Sequence, residues 1–355
     1  MSGLATFLPW QQKLAAEWLQ RRERFAHAWL IHGLAGIGKR RFALAAAAGL
    51  LCESPQAGIA CGHCVACTWL AAGNHPDLRR IRPDAVAVQE GDDTPDESVD
   101  STAGAARKAP SRDIRVEQLR SLHDWFNTAT HRGGWRVAVL YPAEALNIIS
   151  ANALLKVLEE PPAHTLFLLV ADAPDRLLPT LVSRCRRLPL PIPTAEQCLP
   201  WLSEQGLSAP RPWLAVAGGA PLLALQRSRA EASACPTWLQ QLVSPLAEGR
   251  TPEIGSLADL LEKQAPSEWI DYMQRLFVDL SLAAIQEPVR YFPEQAAAID
   301  AVGRCASKER LAETATWLAS QRAVAGHPLS AKLFVHAVLQ RVAQACSPET
   351  SSEMV

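Results

Sequence analysis

The stretch "HAWLIHGLAGIGKRRFALAAAAGLL", residues 27–51, decides the fold that this sequence predicts. A short apolar run precedes Gly33, and an Ala- and Leu-rich run follows Lys39. Gly33, Gly38 and Lys39 have the spacing of the phosphate-binding motif G-x-x-x-x-G-K-[ST], which lies between a strand and a helix. The backbone N–H groups of such a loop and the start of its helix attract a phosphate group. The stretch therefore predicts an α/β domain built around a phosphate loop.

The end of the motif departs from its pattern, because Arg40 stands where a Ser or Thr hydroxyl normally holds Mg²⁺. A guanidinium is a cation without an acceptor lone pair, so it cannot take that role. The second metal ligand is usually an Asp after a later strand. Here the apolar run "RVAVL" is followed by Tyr141-Pro142, and we expect the nearby Glu144 to be a surface carboxylate. These losses predict a vestigial nucleotide site that does not readily split ATP, although nucleotide binding stays open; its residues are Gly33, Gly36, Gly38, Lys39 and Arg40.

Four of the nine cysteines form a compact motif, C-x₈-C-x₂-C-x₂-C, at Cys52, Cys61, Cys64 and Cys67. Four soft thiolates at this spacing suit tetrahedral Zn²⁺. The alternatives are two disulfides or idle buried thiols, and a reducing compartment favours zinc over disulfides. Four cysteines complete the coordination shell, which predicts a structural ion and leaves His63 outside it. The other five cysteines are scattered and are interpreted as small buried side chains.

Composition excludes several classes of protein. The 355 residues have 48% hydrophobic and 20% charged side chains, as in an ordinary globular protein of two or three domains. The formal net charge is −1, so no overall positive field indicates nucleic-acid binding. No apolar run approaches the roughly 18–20 residues of a membrane span, and the first residues lack a secretion signal. We therefore expect a cytoplasmic protein.

The first part of the chain alternates strand-like and helix-like segments, which predicts a mainly parallel sheet over residues 1–190. The predicted strands are "AWLIHG", "WRVAVLYP" and "TLFLLVAD". Residues 84–112 interrupt the pattern with six carboxylates between Glu90 and Asp100, followed by small residues and proline. We interpret this segment as a disordered surface insertion, because it can bury little apolar surface.

The rest of the chain has a helical pattern, with a small helical unit over 191–235 and a longer helical region over 236–346. In the longer region a stripe of apolar residues at helical spacing predicts a helix face packed in a core. The stripe consists of Trp269, Met273, Leu276, Phe277 and Leu280. Residues 347–355 are expected to be a disordered tail.

The segment "VSRCRRL" contains Ser183-Arg184-Cys185, about twenty residues after "LEEPP". An exposed Arg is usually a solvated charge or a member of an ordinary ion pair. At the end of a nucleotide-binding domain, however, Arg184 could present its guanidinium to a phosphate on a neighbouring subunit. In well-studied systems such an arginine accelerates phosphoryl transfer by about 10³- to 10⁵-fold.

Together these motifs resemble the clamp-loader subunits of bacterial DNA polymerase III, in the AAA+ class. The resemblance covers roughly residues 20–225, apart from the acidic insertion, and "PLSAKLFVHAVL" near the end. Its most specific parts are "HAWLIHGLAGIGK", the cysteine motif leading into "NHPDL", "IRVEQLR", "ANALLKVLEEPP", "LLVADAPDRLLPTLVSRC" and "AGGAPLLAL". It implies an AAA+ P-loop domain with a zinc knuckle, a small helical lid domain over 191–235 and an all-α collar domain over 236–346.

Within this family the chain is similar to the member that does not hydrolyse ATP. Arg40 and Tyr141-Pro142 replace the metal ligands, Ala171-Asp172 lacks the threonine that senses the γ-phosphate, and "GGAPLLAL" lacks the arginine of the second sensor. The resemblance implies that Arg184 acts in trans on ATP bound by a gamma/tau subunit. It further implies a hetero-pentamer with gamma/tau and delta, within the DNA polymerase (nucleotidyltransferase) holoenzyme, that loads the β sliding clamp onto primed DNA during replication.

The sequence alone leaves two other hypotheses open. Lys39 and the intact glycines favour a self-sufficient P-loop ATPase, such as a gamma-like motor or a helicase loader, whereas the missing Mg²⁺ ligands oppose it. A zinc-dependent nucleic-acid-binding module is a weaker alternative, because the cysteine motif lacks flanking aromatic and basic clusters.

Overall fold

The computed structural model describes residues 3–91, 109–131, 134–325 and 330–347. The chain divides into two units, Met1–Pro193 and Thr194–Val355. Among the described residues, no helix is long and apolar enough to cross a membrane.

The first unit is built on a five-stranded parallel sheet with the strand order β2-β3-β4-β1-β5. The three predicted strands form its centre and are almost entirely buried, as expected for a sheet covered on both faces. The sequence did not predict the two edge strands, each of which carries two arginines. The strands are β1 (Ala28–His32), β2 (Leu78–Ile81), β3 (Arg136–Leu140), β4 (Thr165–Ala171) and β5 (Arg186–Pro189).

Seven α-helices are described in this unit. The helix that follows the phosphate loop is rich in buried alanine, so it lies close to the sheet. At Gly49 an added Cβ would come 2.1 Å from the Gly58 carbonyl oxygen, and only glycine permits this close approach of the cysteine loop. The helices are α1 (Gln12–Leu19), α2 (Lys39–Leu51), α3 (Val65–Ala71), α4 (Asp84–Glu90), α5 (Val116–Asn127), α6 (Ile148–Glu159) and α7 (Pro179–Ser183).

The prediction of a disordered insertion over 84–112 is wrong at its start. Helix α4 begins at Asp84, whose carboxylate suits a first helical turn, and it ends at Gly91, which has a left-handed φ of 78°. At the far end, the Ser111 carbonyl accepts a hydrogen bond from the Ala85 N–H, at 3.0 Å. Residues 92–108 of the predicted insertion lie outside the described residues.

The described part of the second unit contains nine α-helices. The predicted apolar stripe on α13 is confirmed as core, since each of its five side chains is at most 1% exposed. Apart from residues 191–193, the regions predicted as lid and collar lie in this unit, and the boundary between them stays a prediction. Of the predicted tail, residues 348–355 lie outside the described residues. The helices are α8 (Ala195–Glu204), α9 (Pro210–Val216), α10 (Pro221–Ala230), α11 (Thr237–Ala247), α12 (Ile254–Leu261), α13 (Pro266–Ala284), α14 (Ala296–Cys305), α15 (Lys308–Val324) and α16 (Ala331–Cys346).

Candidate functional site

The phosphate-loop motif lies between the end of β1 and the start of α2, in the strand–loop–helix order that the sequence predicts. Its glycines Gly33, Gly36 and Gly38 have φ values of 146°, 81° and 94°, a region that other residues rarely enter. At Gly33 an added Cβ would also come 2.6 Å from the Leu190 carbonyl oxygen, on the chain that leaves the neighbouring strand β5. The loop backbone therefore depends on glycine both for its conformation and for its packing.

The Lys39 side chain folds back onto the protein. Its ammonium donates to the carbonyl oxygens of Gly33, at 2.8 Å, and Leu34, at 2.5 Å, and pairs with Asp172 Oδ1 at 2.5 Å. An ammonium has three N–H donors, and these three contacts employ all of them. Asp172 directly follows β4. Lys39 is thus engaged by internal acceptors at the place where the motif would bring it to a phosphate.

Glu144 holds the segment that carries Asp172. Its Oε1 accepts hydrogen bonds from the backbone N–H groups of Asp172 and Ala173, each at 2.5 Å. The prediction that Glu144 is a surface carboxylate is therefore wrong. It lies on a 3₁₀ turn after β3, next to the end of β4 in the sheet, where its carboxylate holds the segment that carries Asp172.

Glu90, at the end of α4, connects the two positions that replace the magnesium ligands. Arg40 Nη1 lies 2.6 Å from Glu90 Oε1, and the Tyr141 hydroxyl donates to Glu90 Oε2 at 2.9 Å. Arg82 Nε pairs with the same Oε2 at 3.0 Å. Burial raises the pKa of Tyr141 well above its usual range, so the phenol remains a donor.

This group, which we call the Glu90 cluster (Arg40, Arg82, Glu90, Tyr141), determines what the loop can do chemically. Glu90 supplies carboxylate oxygens, but two guanidinium groups and a phenol already engage both of them. Arg40 brings a positive charge where the motif would place a metal-binding hydroxyl. The loop keeps its backbone amides, while Arg40 carries no side-chain oxygen and the protonated Tyr141 hydroxyl is bound to Glu90.

The role of Glu90 was not predicted from the sequence, because this residue lies at the start of the acidic run that was interpreted as an insertion. A local signal was present: Asp84 after Pro83 and Gly91 at the end are typical start and stop residues of a helix. The pairing with Arg40, fifty residues away along the chain, had no local signal.

The structure brings the four predicted cysteines together, with all their Sγ atoms within 4.8 Å of one another. The Sγ atoms of Cys52 and Cys64 are 3.8 Å apart, and those of Cys61 and Cys67 are 4.0 Å apart. Zinc–sulfur bonds of about 2.3 Å in a tetrahedron place sulfur atoms about 3.8 Å apart, whereas a disulfide needs about 2.0 Å. The cluster therefore fits a four-coordinate metal ion and excludes two disulfides in this arrangement.

Backbone amides orient these sulfur atoms. Cys64 caps the start of α3 by accepting from the Cys67 N–H at 3.4 Å, and Cys52 Sγ accepts from the Cys61 N–H at 3.2 Å. A hydrogen bond from the His63 backbone lowers the pKa of Cys61 to about 6, which favours the thiolate that binds metals. The His63 ring is not among the clustered ligands.

Arg184 follows α7 and lies partly exposed, with 35% of its side chain accessible. Its Nη2 contacts Glu159 Oε1 at 2.6 Å, and its Nη1 donates to the Thr180 carbonyl oxygen at 2.9 Å. Glu159 is the last residue of α6, within the "LEEPP" segment. The neighbouring Cys185 is buried, and burial raises its pKa to about 12, as expected for an inert packing thiol.

Comparisons with known proteins agree with these features. A family model described as "DNA polymerase III, delta subunit" matches residues 11–194. DNA polymerase III subunit delta' of Pseudomonas aeruginosa is 41% identical over 225 residues, which cover 62% of this chain and 61% of the relative. The same subunit of Escherichia coli is 35% identical over 194 residues, covering 55% and 50%. DNA polymerase III subunit tau of Salmonella typhimurium is 34% identical over 174 residues, covering 49% and 23%.

The parallel sheet and the strand–loop–helix motif define an α/β protein with a phosphate loop in which Arg40 stands at the hydroxyl position of the motif. More specifically, the chain belongs to the DNA polymerase III delta-subunit family, in the group of delta-prime subunits. The match to the Pseudomonas relative spans 61% of that protein's length.

The Glu90 cluster makes a prediction about stability. We expect Glu90→Ala to lower the free energy of unfolding by about 3 kcal/mol, because it removes a mostly buried carboxylate that pairs with the buried Arg82 guanidinium. Arg40→Ala should cost less than about 1 kcal/mol, since the Arg40 side chain is 54% exposed. Urea unfolding followed by circular dichroism measures both values.

Glu160→Ala serves as the control for Glu90→Ala, because Glu160 is an exposed glutamate of the same unit. An Arg40→Ala variant at least as destabilised as Glu90→Ala would show that the cluster does not depend on the buried pair.

Proposed function

We propose that this chain is the non-hydrolysing subunit of a DNA polymerase III clamp loader. In this proposal it offers Arg184 in trans to ATP bound on an adjacent gamma/tau subunit. The complex uses that hydrolysis to load the β sliding clamp onto primed DNA in chromosome replication. The observation that carries the proposal is the Glu90 cluster, which occupies the positions of the magnesium ligands while Arg184 stays at the surface.

The chemistry of phosphoryl transfer supports the first half of the proposal. Hydrolysis by P-loop proteins relies on Mg²⁺ to neutralise charge on the β- and γ-phosphates, and on a lysine that reaches them. In this chain Arg40 and Tyr141 hold Glu90 at the metal-ligand positions, and Asp172 holds Lys39. These contacts leave the loop its backbone amides for a phosphate and engage the groups that would act on a nucleotide–metal complex.

The contacts of Arg184 support the second half. An arginine supplied in trans stabilises the charge of a transferring phosphoryl group. Arg184 pairs with Glu159, whose side chain is 50% exposed. Exposed ion pairs contribute only about 0–1 kcal/mol to the free energy of folding. Arg184 can therefore exchange Glu159 for a phosphate on another subunit at little cost.

The partners follow from the family. We propose a hetero-pentamer with gamma/tau and delta, in which residues 191–235 form the lid and residues 236–346 form the collar that holds the ring together. The similarity to subunits named delta' and tau supports this assembly. The β clamp and primed DNA are proposed as partners of the whole complex.

A self-sufficient ATPase is the second candidate, and the retained Lys39 and loop glycines favour it. Measuring ATP turnover by the isolated chain distinguishes the two candidate functions. ATP turnover by the isolated chain that disappears in Lys39→Ala would support the ATPase.

The arginine assignment predicts a loss of activity in the complex. With Arg184→Ala, we expect ATP hydrolysis at the adjoining gamma/tau site to fall about 10³-fold or more, because the transition state loses its guanidinium. The measurement is DNA-stimulated ATP turnover of the complex reconstituted with gamma/tau and delta.

Arg176→Ala is the matched control, since Arg176 is an exposed arginine eight positions earlier in the same unit. Gel filtration must show that both variants still assemble. Unchanged turnover in an assembled Arg184→Ala complex would refute the assignment.

We further propose that the four-cysteine cluster holds a structural Zn²⁺. Thiolate ligands and their near-tetrahedral spacing support zinc, and four protein ligands leave no position for a substrate. Bound at Cys52, Cys61, Cys64 and Cys67, the ion would fix the loop that packs against α2 at Gly49.

Protein purified without chelators should contain one zinc per chain by elemental analysis. Cys64→Ser should lose the metal and unfold at a lower temperature, because the binding energy of a structural ion is folding energy. Cys305→Ser, at an exposed cysteine outside the cluster, should change neither value. Metal-free protein of undiminished stability would contradict the proposal.

A further inference from the structure

A groove of 670 Å³ lies along one edge of the sheet in the first unit. One wall is the end of α1 with the 3₁₀ turn Arg22–Arg24, and the other wall is the edge strand β5. None of its lining residues belongs to the phosphate loop, the cysteine cluster or the Arg184 contacts. The functions described above leave this groove without a role.

The floor of the groove is aromatic. Trp18 stacks on Phe25 with ring centres 4.3 Å apart, and Trp29 meets these rings edge-on at 5.3 and 5.6 Å. Trp18 and Trp29 are each 6% exposed, and neither indole N–H has an acceptor among the described residues. The packed rings therefore give the groove an apolar floor.

The walls of the groove are positively charged. Arg21, Arg24, Arg186 and Arg187 are exposed, and within the described part of the chain none of them forms an ion pair with a carboxylate. The guanidinium of Arg186 lies over the Trp29 ring, 5.1 Å from its centre. The lining has four arginines against two glutamates, in a chain whose net charge is −1. This concentration of positive charge favours an acidic ligand.

The backbone of β5 offers a short additional contact. The Leu190 N–H donates to the His32 carbonyl at 2.8 Å. Because backbone N–H and C=O groups alternate in direction along a strand, those of Leu188 and Leu190 point toward β1 and those of Arg187 point away from it. The Arg187 N–H and C=O groups therefore face the side on which a further chain could pair. Pro189 also faces outward and has no N–H, which limits such pairing to a few residues.

We propose that this groove binds an extended acidic peptide segment of a partner protein. In an extended chain, alternate side chains lie on one face about 6.5–7 Å apart, so carboxylates at every second position face the arginines together. Single-stranded nucleic acid is also acidic, but it binds by stacking bases on exposed aromatic faces. The two tryptophans are too deeply buried for that, which favours the peptide.

The test uses the isolated chain and a fluorescein-labelled peptide of alternating glutamate and valine, with anisotropy as the readout at low salt. The wild-type chain should bind this peptide, should lose it as salt is raised, and should not bind a lysine–valine peptide of equal length. The double variant Arg186→Ala/Arg187→Ala should weaken binding about tenfold, since two exposed charge pairs are lost.

The double variant Arg211→Ala/Arg229→Ala is the control, because it removes the same charge from exposed positions in the second unit. Its dissociation constant should stay within about twofold of the wild type, and both variants should keep the wild-type circular dichroism spectrum. If both double variants bind the peptide equally more weakly than the wild type, binding depends only on the overall charge of the chain, and the proposal is overturned. The proposal is also overturned if the wild-type chain does not bind the peptide, or if an oligothymidylate of equal charge displaces it. The result does not depend on the clamp-loader proposal, since no other subunit is present.

Discussion

The ion pair between Glu90 and its two arginines is the interaction on which the interpretation of this molecule depends. A carboxylate that is mostly buried requires compensating charge, and Arg40 and Arg82 provide it while Tyr141 donates a hydrogen bond. Two of these partners occupy the positions where a working P-loop protein holds its metal. In this structure the Arg40 guanidinium serves as a partner of the Glu90 carboxylate.

Contacts within the protein hold the phosphate loop in its conformation. Lys39 is bound by two loop carbonyls and by Asp172, whose segment is in turn fixed by Glu144. Gly33 is required by its backbone angle and by the nearby Leu190 carbonyl, whether or not a nucleotide binds. Retained glycines in such a loop are thus weak evidence for retained nucleotide binding.

Local sequence patterns predicted those parts of the structure that local forces determine. The buried strands β1, β3 and β4 are apolar runs between turn residues, and the cysteine cluster is set by spacing within sixteen residues. The edge strands β2 and β5 were missed because their arginines suit an edge but obscure the pattern of a strand. Glu90 and Glu144 were misassigned because their partners lie far away in the sequence, so only the folded chain shows that they are paired.

The most direct test of the central claim is a crystal of the chain soaked in magnesium and a non-hydrolysable ATP analogue. This account predicts that the Glu90 pair with Arg40 and the Lys39 pair with Asp172 persist, with no metal ion between Arg40 and Tyr141. A coordinated magnesium ion at that position, with Lys39 turned to the phosphates, would contradict it.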